Sequence, residues 1–289
     1  MITLHFAGYQ PARSVHTRAL HALREGVAQR VGHALCIAVT DSIIAAGHKA
    51  ADLLRMVANG ELDGCYFASS YLARKVPPLA AFDRPFEAGT RQEVFAQLDG
   101  KTGAALARAV AAATPYSVLG WWDNGIRHIS NAVRPIRTPA DCVGLRLRTL
   151  DNAQHQAAFR RLGFQPVFID VADLPRAVAD RTVDAQENPL TNMVNFGLHH
   201  HHRYVSLTGH LVGIAPLLIN RARYDALSGE LRQAVAAAAA ESAATQRKLA
   251  IAEDGGCRQV LLDAGVAVLE FDATDQSKFQ IALQMRHTD

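Results

Sequence analysis

The sequence predicts an α/β protein built as two lobes around a hinged ligand cleft. Three observations carry that expectation. Apolar strand-like runs alternate with helical stretches, the alternation stops and restarts near residue 145, and 289 residues are more than one small core organises comfortably.

The first series begins with Ile2 to Phe6, a buried-strand pattern, followed by the Gly8-Tyr9-Gln10-Pro11 turn and a helix from Val15 to Val31. Ala34 to Val39 reads as a second strand, Ala50 to Asn59 as a helix stopped by Gly60, and Leu62 to Ala68 as a third strand. Such an order implies a parallel sheet covered by helices. After the Pro77-Pro78 break come an alanine-rich helix from Gly103 to Ala113 and a strand from Tyr116 to Trp122 that ends toward Asp123-Asn124-Gly125.

The second series has strands at Leu145 to Thr149, Gln165 to Ile169 and Asp184 to Ala185, with helices at Gln154 to Leu162 and Asp173 to Asp180. Tyr204 to Leu207 and Val212 to Ile219 are two further apolar runs, and Thr208-Gly209-His210 between them offers a route back to the first lobe. A long helix from Gly229 to about Ala264 is expected to span both lobes. Gly255-Gly256 inside it weakens it by about 1 kcal/mol per glycine relative to alanine, so a break is expected there. Val266 to Phe271 reads as a last strand and the tail after Asp272 as irregular. The expected division is residues 1–122 with 213–252 for one lobe, and 123–212 with 253–289 for the other.

Composition excludes several classes of function. Thirty basic and 27 acidic residues are interspersed to a net charge of +3, which leaves no basic stripe for nucleic acid. No stretch reaches the roughly 18 consecutive apolar residues of a membrane-spanning helix. Cys36, Cys65, Cys142 and Cys257 form no CxxC pair and read as buried thiols rather than metal or redox ligands. No nucleotide cradle, GxSxG or HExxH motif is present, so no cofactor and no catalytic nucleophile are expected. His199 to His202 are four consecutive imidazoles. Neighbouring side chains point in different directions, so they read as a solvated stretch and not as a metal site. The N-terminus opens directly on a strand pattern, without a charged region, apolar core and cleavage site.

From Gly120 the chain reads GWWDNGIRHISNAVRPIRTPADCVGLRLRT, later RLGFQPVFIDVADLPRAVADRTVDAQENP, then RYVSLTGH. These segments, in this order, resemble the DctP-type solute-binding proteins of tripartite ATP-independent periplasmic (TRAP) transporters. Ile126, Arg146 and Ala185 depart from the family pattern, which has an aromatic, a lysine and a glycine at those places. A looser likeness covers the first lobe through ANGELDG, SSYL and DRPFE.

The resemblance implies a periplasmic-binding-protein type II-like fold. It also implies a receptor that delivers a small organic acid to a membrane permease, working as a monomer in the periplasm with any leader removed or missing. An enzyme on the same fold, a hydrolase or transferase acting on a small carboxylate, is the alternative. By the same resemblance Arg148 pairs with the ligand carboxylate, and a guanidinium suits that role because its planar fork matches both oxygens. Alternation puts Arg146 and Arg148 on one face, so only the family position chooses Arg148. Arg127 and Asn188 are further implied contacts. Tyr9, Gln10, Ser70, Phe168 and Glu187 complete the candidates from loops and strand ends.

Overall fold

A computed structural model describes residues 1–87 and 89–285. The chain divides into two compact units, one of residues 1–78, 95–124 and 214–253, the other of residues 79–94, 125–213 and 254–289.

In the first unit, β1 (Ile2–Ala7) lies between β2 (Leu35–Thr40) and β3 (Gly64–Tyr66), all parallel. Helices α1 (Val15–Val31) and α2 (Asp52–Ala58) make the crossovers. Ser14 starts α1 by accepting from the Thr17 backbone N–H at 3.1 Å, a hydroxyl cap for an otherwise unpaired donor. Gly64 lets β3 close on β1, since a Cβ there would come within 2.2 Å of the Phe6 ring. Helix α3 (Arg91–Asp99), which was not foreseen, takes its first four residues from the second unit and the rest from the first, and α4 (Lys101–Ala113) follows.

Strand β4 (Tyr116–Asn131) is longer than expected, passing through Asp123-Asn124-Gly125, before which the strand was expected to end. Gly125 takes φ +83° and stays within the strand. The runs around Thr208-Gly209-His210 are likewise one strand, numbered β8 (Tyr204–Asn220) and antiparallel to β3 over residues 64–66.

The second unit contains β5 (Arg146–Thr149), α5 (Ala153–Arg161), β6 (Gln165–Phe168), α6 (Leu174–Ala179), β7 (Ala185–Pro189) and α7 (Leu190–Asn195). Its sheet runs β4-β7-β5-β6, antiparallel between β4 and β7 and parallel thereafter. One apolar cluster joins Ile129, Leu147, Phe159, Phe164 and Ala185 to Phe86 and Phe279.

That cluster corrects two expectations. Residues 79–94 belong to the second unit: the Phe86 backbone N–H donates to the His210 carbonyl at 2.6 Å, and the Phe86 ring stacks 5.1 Å from Phe279. The supposedly irregular tail is the helix α10 (Ala273–Gln284), capped by the Asp272 side chain and anchored by fully buried Phe279. Its apolar anchors are few, which hid the helical pattern.

After the short α8 (Arg221–Asp225), helix α9 (Gly229–Asp263) runs unbroken through Gly255-Gly256, and β9 (Ala267–Glu270) pairs in parallel with the first residues of β8. The two glycines weaken α9 but stand in open space, so no packing conflict adds to their intrinsic cost. Small residues seat α9 on α1: a Cβ on Gly26 would lie 3.1 Å from that of Ala238, and Ser242 donates to the Ala19 carbonyl at 2.7 Å.

The four cysteines are unbridged, with Cys36 half-buried and the rest buried. No helix among the described residues is long and apolar enough to cross a membrane.

Buried Gln246 of α9 accepts from the Asp123 backbone N–H at 2.8 Å and donates to the Asp123 carbonyl at 2.7 Å. Replacing it removes both of these bonds to β4, so Gln246→Ala is expected to lower stability by about 1–3 kcal/mol in urea unfolding.

Candidate functional site

In the second unit the parallel strands β5 and β7 point their carboxyl ends the same way, and antiparallel β4 brings Arg127 beside Pro189 at that end. In open α/β sheets, ligands bind outside the carboxyl ends of the strands. Arg148, Arg127, Glu187 and Asn188 therefore gather where a ligand is expected. Gly125 permits the approach, because a Cβ there would lie 2.5 Å from the Pro189 Cβ and the residue needs positive φ.

Register sorts these residues by face. Arg148 pairs with Gln186, and Gln186 with Ser130, so these three share one face. Arg127, Glu187 and Thr149 fall on the other. Arg127 touches both faces around the strand end, bonding to Glu187 and reaching Asn188 Oδ1 at 3.4 Å.

Arg148 is 1% exposed, and its Nε donates to the Ile169 carbonyl at 2.7 Å. That bond fixes the guanidinium plane from one edge. Arg146, two residues earlier, is 42% exposed along its side chain and forks onto Asp184 through Nε at 2.9 Å and Nη2 at 2.8 Å. The two arginines that alternation left equivalent are thus separated by burial.

Arg127 differs from its expected role. Its Nε meets Glu187 Oε2 at 2.5 Å, while Nη2 meets Oε1 at 2.8 Å and the Glu187 carbonyl at 2.7 Å. The planar fork anticipated for a ligand carboxylate holds a carboxylate of the protein, in a pair 2% and 0% exposed. Burial alone would raise the Glu187 carboxyl, but Arg127 and the adjacent imidazoles outweigh it and hold the group far below the usual carboxylate range. Asn188 is also engaged internally: it donates to Gln186 Oε1 at 2.6 Å and accepts from Asn192 Nδ2 at 3.0 Å. Gln186 in turn donates to Ser130 Oγ at 2.6 Å, which lies 2.8 Å from His202 Nδ1.

The remaining candidates are placed as follows. Phe168 ends β6 opposite Thr149 and is 44% exposed, so it belongs to the surface and not to the core. Tyr9, Gln10 and Ser70 are buried in the first unit, where the Tyr9 ring lies 5.3 Å from Tyr66 and 5.5 Å from Phe67. The reading of His199 to His202 as solvated holds for His200 and His201 but not for His202, which is buried against Ser130.

Sequence reasoning missed a group of histidines. His155 at the start of α5 and His210 on β8 flank Glu187, His155 Nδ1 at 3.9 Å from Oε1 and His210 Nε2 at 3.4 Å from Oε2. His210 Nδ1 also meets Thr208 Oγ1 at 2.7 Å, and His128 accepts from the Gly209 N–H at 3.0 Å. The Thr-x-His segment signalled His210, whereas nothing in the pattern around His155 marked it. His155, Glu187 and His210 bring donor atoms within 4.8 Å of one another, a spacing open to a metal ion, but both Glu187 oxygens already accept from Arg127. Burial lowers His155 and His202 to about 4 and His128 to about 3, so all three are neutral at pH 7.

The family model for bacterial extracellular solute-binding proteins, family 7 (DctP), matches residues 6–289, and the chain belongs to that family. It is 34% identical over 217 residues to the 2,3-diketo-L-gulonate-binding periplasmic protein YiaO of Escherichia coli K12, covering 74% of this chain but only 65% of that protein. A TRAP periplasmic solute-binding protein from Roseobacter denitrificans with bound β-D-glucuronate superposes with a TM-score of 0.92 at 27% identity, covering 98% of this chain and 92% of that one. One from Polaromonas sp. JS666 bound to D-erythronate gives 0.92 at 25% identity, with the same coverage. The family and these neighbours are binding proteins.

Two outcomes follow from the buried charges. Glu187→Gln strands Arg127 without its counter-charge and is expected to cost about 3–5 kcal/mol in urea unfolding at pH 7. Because the folded-state pKa of Glu187 is depressed, its contribution is complete above the unfolded value and fades as pH falls, so the gap to wild type should narrow below about pH 4. The lowered histidines act in a different window. The unfolded chain takes up their protons from about pH 6.5 downward while the folded chain refuses them, so stability should fall between about pH 6.5 and 4, by up to about 1.4 kcal/mol per pH unit per histidine. Calorimetric unfolding across that range measures it.

Proposed function

We propose that this protein is the solute receptor of a TRAP-type transporter, binding a small organic acid through its carboxylate and delivering it to a membrane permease. The observation that carries the reading is Arg148, a guanidinium buried at the carboxyl end of β5 and steadied by the Ile169 carbonyl. A buried guanidinium presents a charged planar fork with little solvent to compete for it, which favours a carboxylate over neutral ligands. Family membership and the sugar acids bound by the two neighbouring structures support the same reading.

Arg127 and Glu187 serve the site differently from Arg148. Their mutual pairing makes them a rigid floor beside the ligand, with Asn188 and Gln186 bracing the strand end. The receptor works as a monomer in the periplasm and releases its ligand unchanged.

Thermal-shift screening of an organic-acid library is expected to find an acid that raises the melting temperature by binding the folded chain preferentially. In calorimetry with that acid, Arg148→Ala should weaken binding by about 3–5 kcal/mol, and Arg148→Lys should weaken it by less. Unchanged affinity in Arg148→Ala, or chemical turnover of the acid, defeats the proposal.

A further inference from the structure

Beside the arginines, two fully buried polar side chains have hydrogen-bonding capacity that the protein leaves unused. His155 is 1% exposed, and neither ring nitrogen makes a hydrogen bond. Thr149 is 0% exposed, and its hydroxyl makes none. Buried polar groups are nearly always paired, and leaving one unpaired is costly, so a pair of them calls for an explanation. Both stand at the carboxyl end of β5: Thr149 is its last residue, and His155 lies in the first turn of α5, the nine-residue helix that follows.

The neighbouring groups do not supply the missing bonds. Glu187, 3.9 Å from His155 Nδ1, accepts from Arg127 through both oxygens. His210 meets Thr208 through Nδ1 and Glu187 through Nε2. The His155 ring is held edge-on by Phe159, their centroids 4.9 Å apart. It is neutral at pH 7 because burial opposes its charge, so it offers one donor and one acceptor.

From these groups we infer that His155, with Thr149, reads a hydroxyl of the ligand and selects hydroxylated monocarboxylates over plain dicarboxylates. The inference rests on the carboxylate reading of Arg148 and adds the substrate class. Its logic is one of charge. A dicarboxylate brings two negative charges and needs a cation at each end, but the Arg127 fork is already matched to Glu187. The His155 ring beside that ion pair is neutral, and a hydroxyl both donates and accepts, as His155 and Thr149 require. A site built around such bonds rejects ligands that lack the matching group, since its own polar atoms then stay unpaired.

Calorimetry with D-glucuronate and succinate as probes tests this on wild type, His155→Phe, His155→Gln, Thr149→Val and Arg148→Ala, each checked for folding by circular dichroism. Wild type is expected to prefer D-glucuronate. His155→Phe keeps the aromatic packing on Phe159 and should lose D-glucuronate affinity about 10- to 100-fold with little change for succinate. His155→Gln should recover part of the loss, and Thr149→Val should show a smaller one.

Preference of wild type for succinate, binding of neither probe, or undiminished D-glucuronate affinity in His155→Phe overturns the inference. Tight zinc binding that His155→Phe abolishes does so too, by marking the cluster as a metal site. Undiminished binding in Arg148→Ala is a separate result, which defeats the carboxylate reading itself.

Discussion

A guanidinium and a carboxylate, both out of reach of water, meet at the strand ends of the second unit, and the chemistry around them is set by their match. Two charges so buried persist only because each satisfies the other through paired hydrogen bonds, Arg127 Nε and Nη2 to the two oxygens of Glu187. With that pair internally neutral, burial holds His155 uncharged and lowers His210, and Asn188 and Gln186 brace the adjoining strand by amide bonds. Arg148, buried in the same unit, has its guanidinium plane fixed by the Ile169 carbonyl. Recognition of an acid by such a site depends on that fixed fork.

The amide chain beyond the ion pair has a mechanical meaning. Asn192, Asn188, Gln186, Ser130 and His202 are linked in sequence by side-chain bonds of 3.0, 2.6, 2.6 and 2.8 Å, tying α7, β7, β4 and the loop before β8 together. Each bond in a dry interior is directional, so the chain restricts how β7 rotates relative to β4. Gly125 and Pro189 complete the constraint by bringing the two backbones closer than any other residue at position 125 permits. The strand ends are thereby prepared before a ligand arrives, which lowers the ordering cost of binding.

Much of this was legible in the residues. Strand and helix order emerged from apolar periodicity, and Arg148, Glu187 and Asn188 from segments whose order matched a family. What failed did so for local reasons. Asp123-Asn124-Gly125 and Thr208-Gly209-His210 have turn chemistry, yet each lies within a continuous strand because ladder pairing on either side overrides the local preference. The tail helix α10 has only Phe279 fully buried, too few anchors for its period to stand out. The pairing of Arg127 was not legible: a sequence shows that a fork is present but not that a carboxylate of the same chain meets two of its nitrogens. His155 carried no signal, since what distinguishes it is unspent hydrogen bonding in a buried place.

Neither unit is made from one uninterrupted stretch. Each takes three separate segments, and α3, β4, β8 and α9 contribute residues to both. The first unit lacks Leu217, Leu218, Ile219 and Val235 of its buried core until residues beyond 214 exist, and the second lacks Leu261 and Phe279 until residue 279 is made. During synthesis, then, neither core closes early, although N-terminal domains ordinarily fold first as they emerge. Each core is completed only when residues far along the sequence from its first strand have been made.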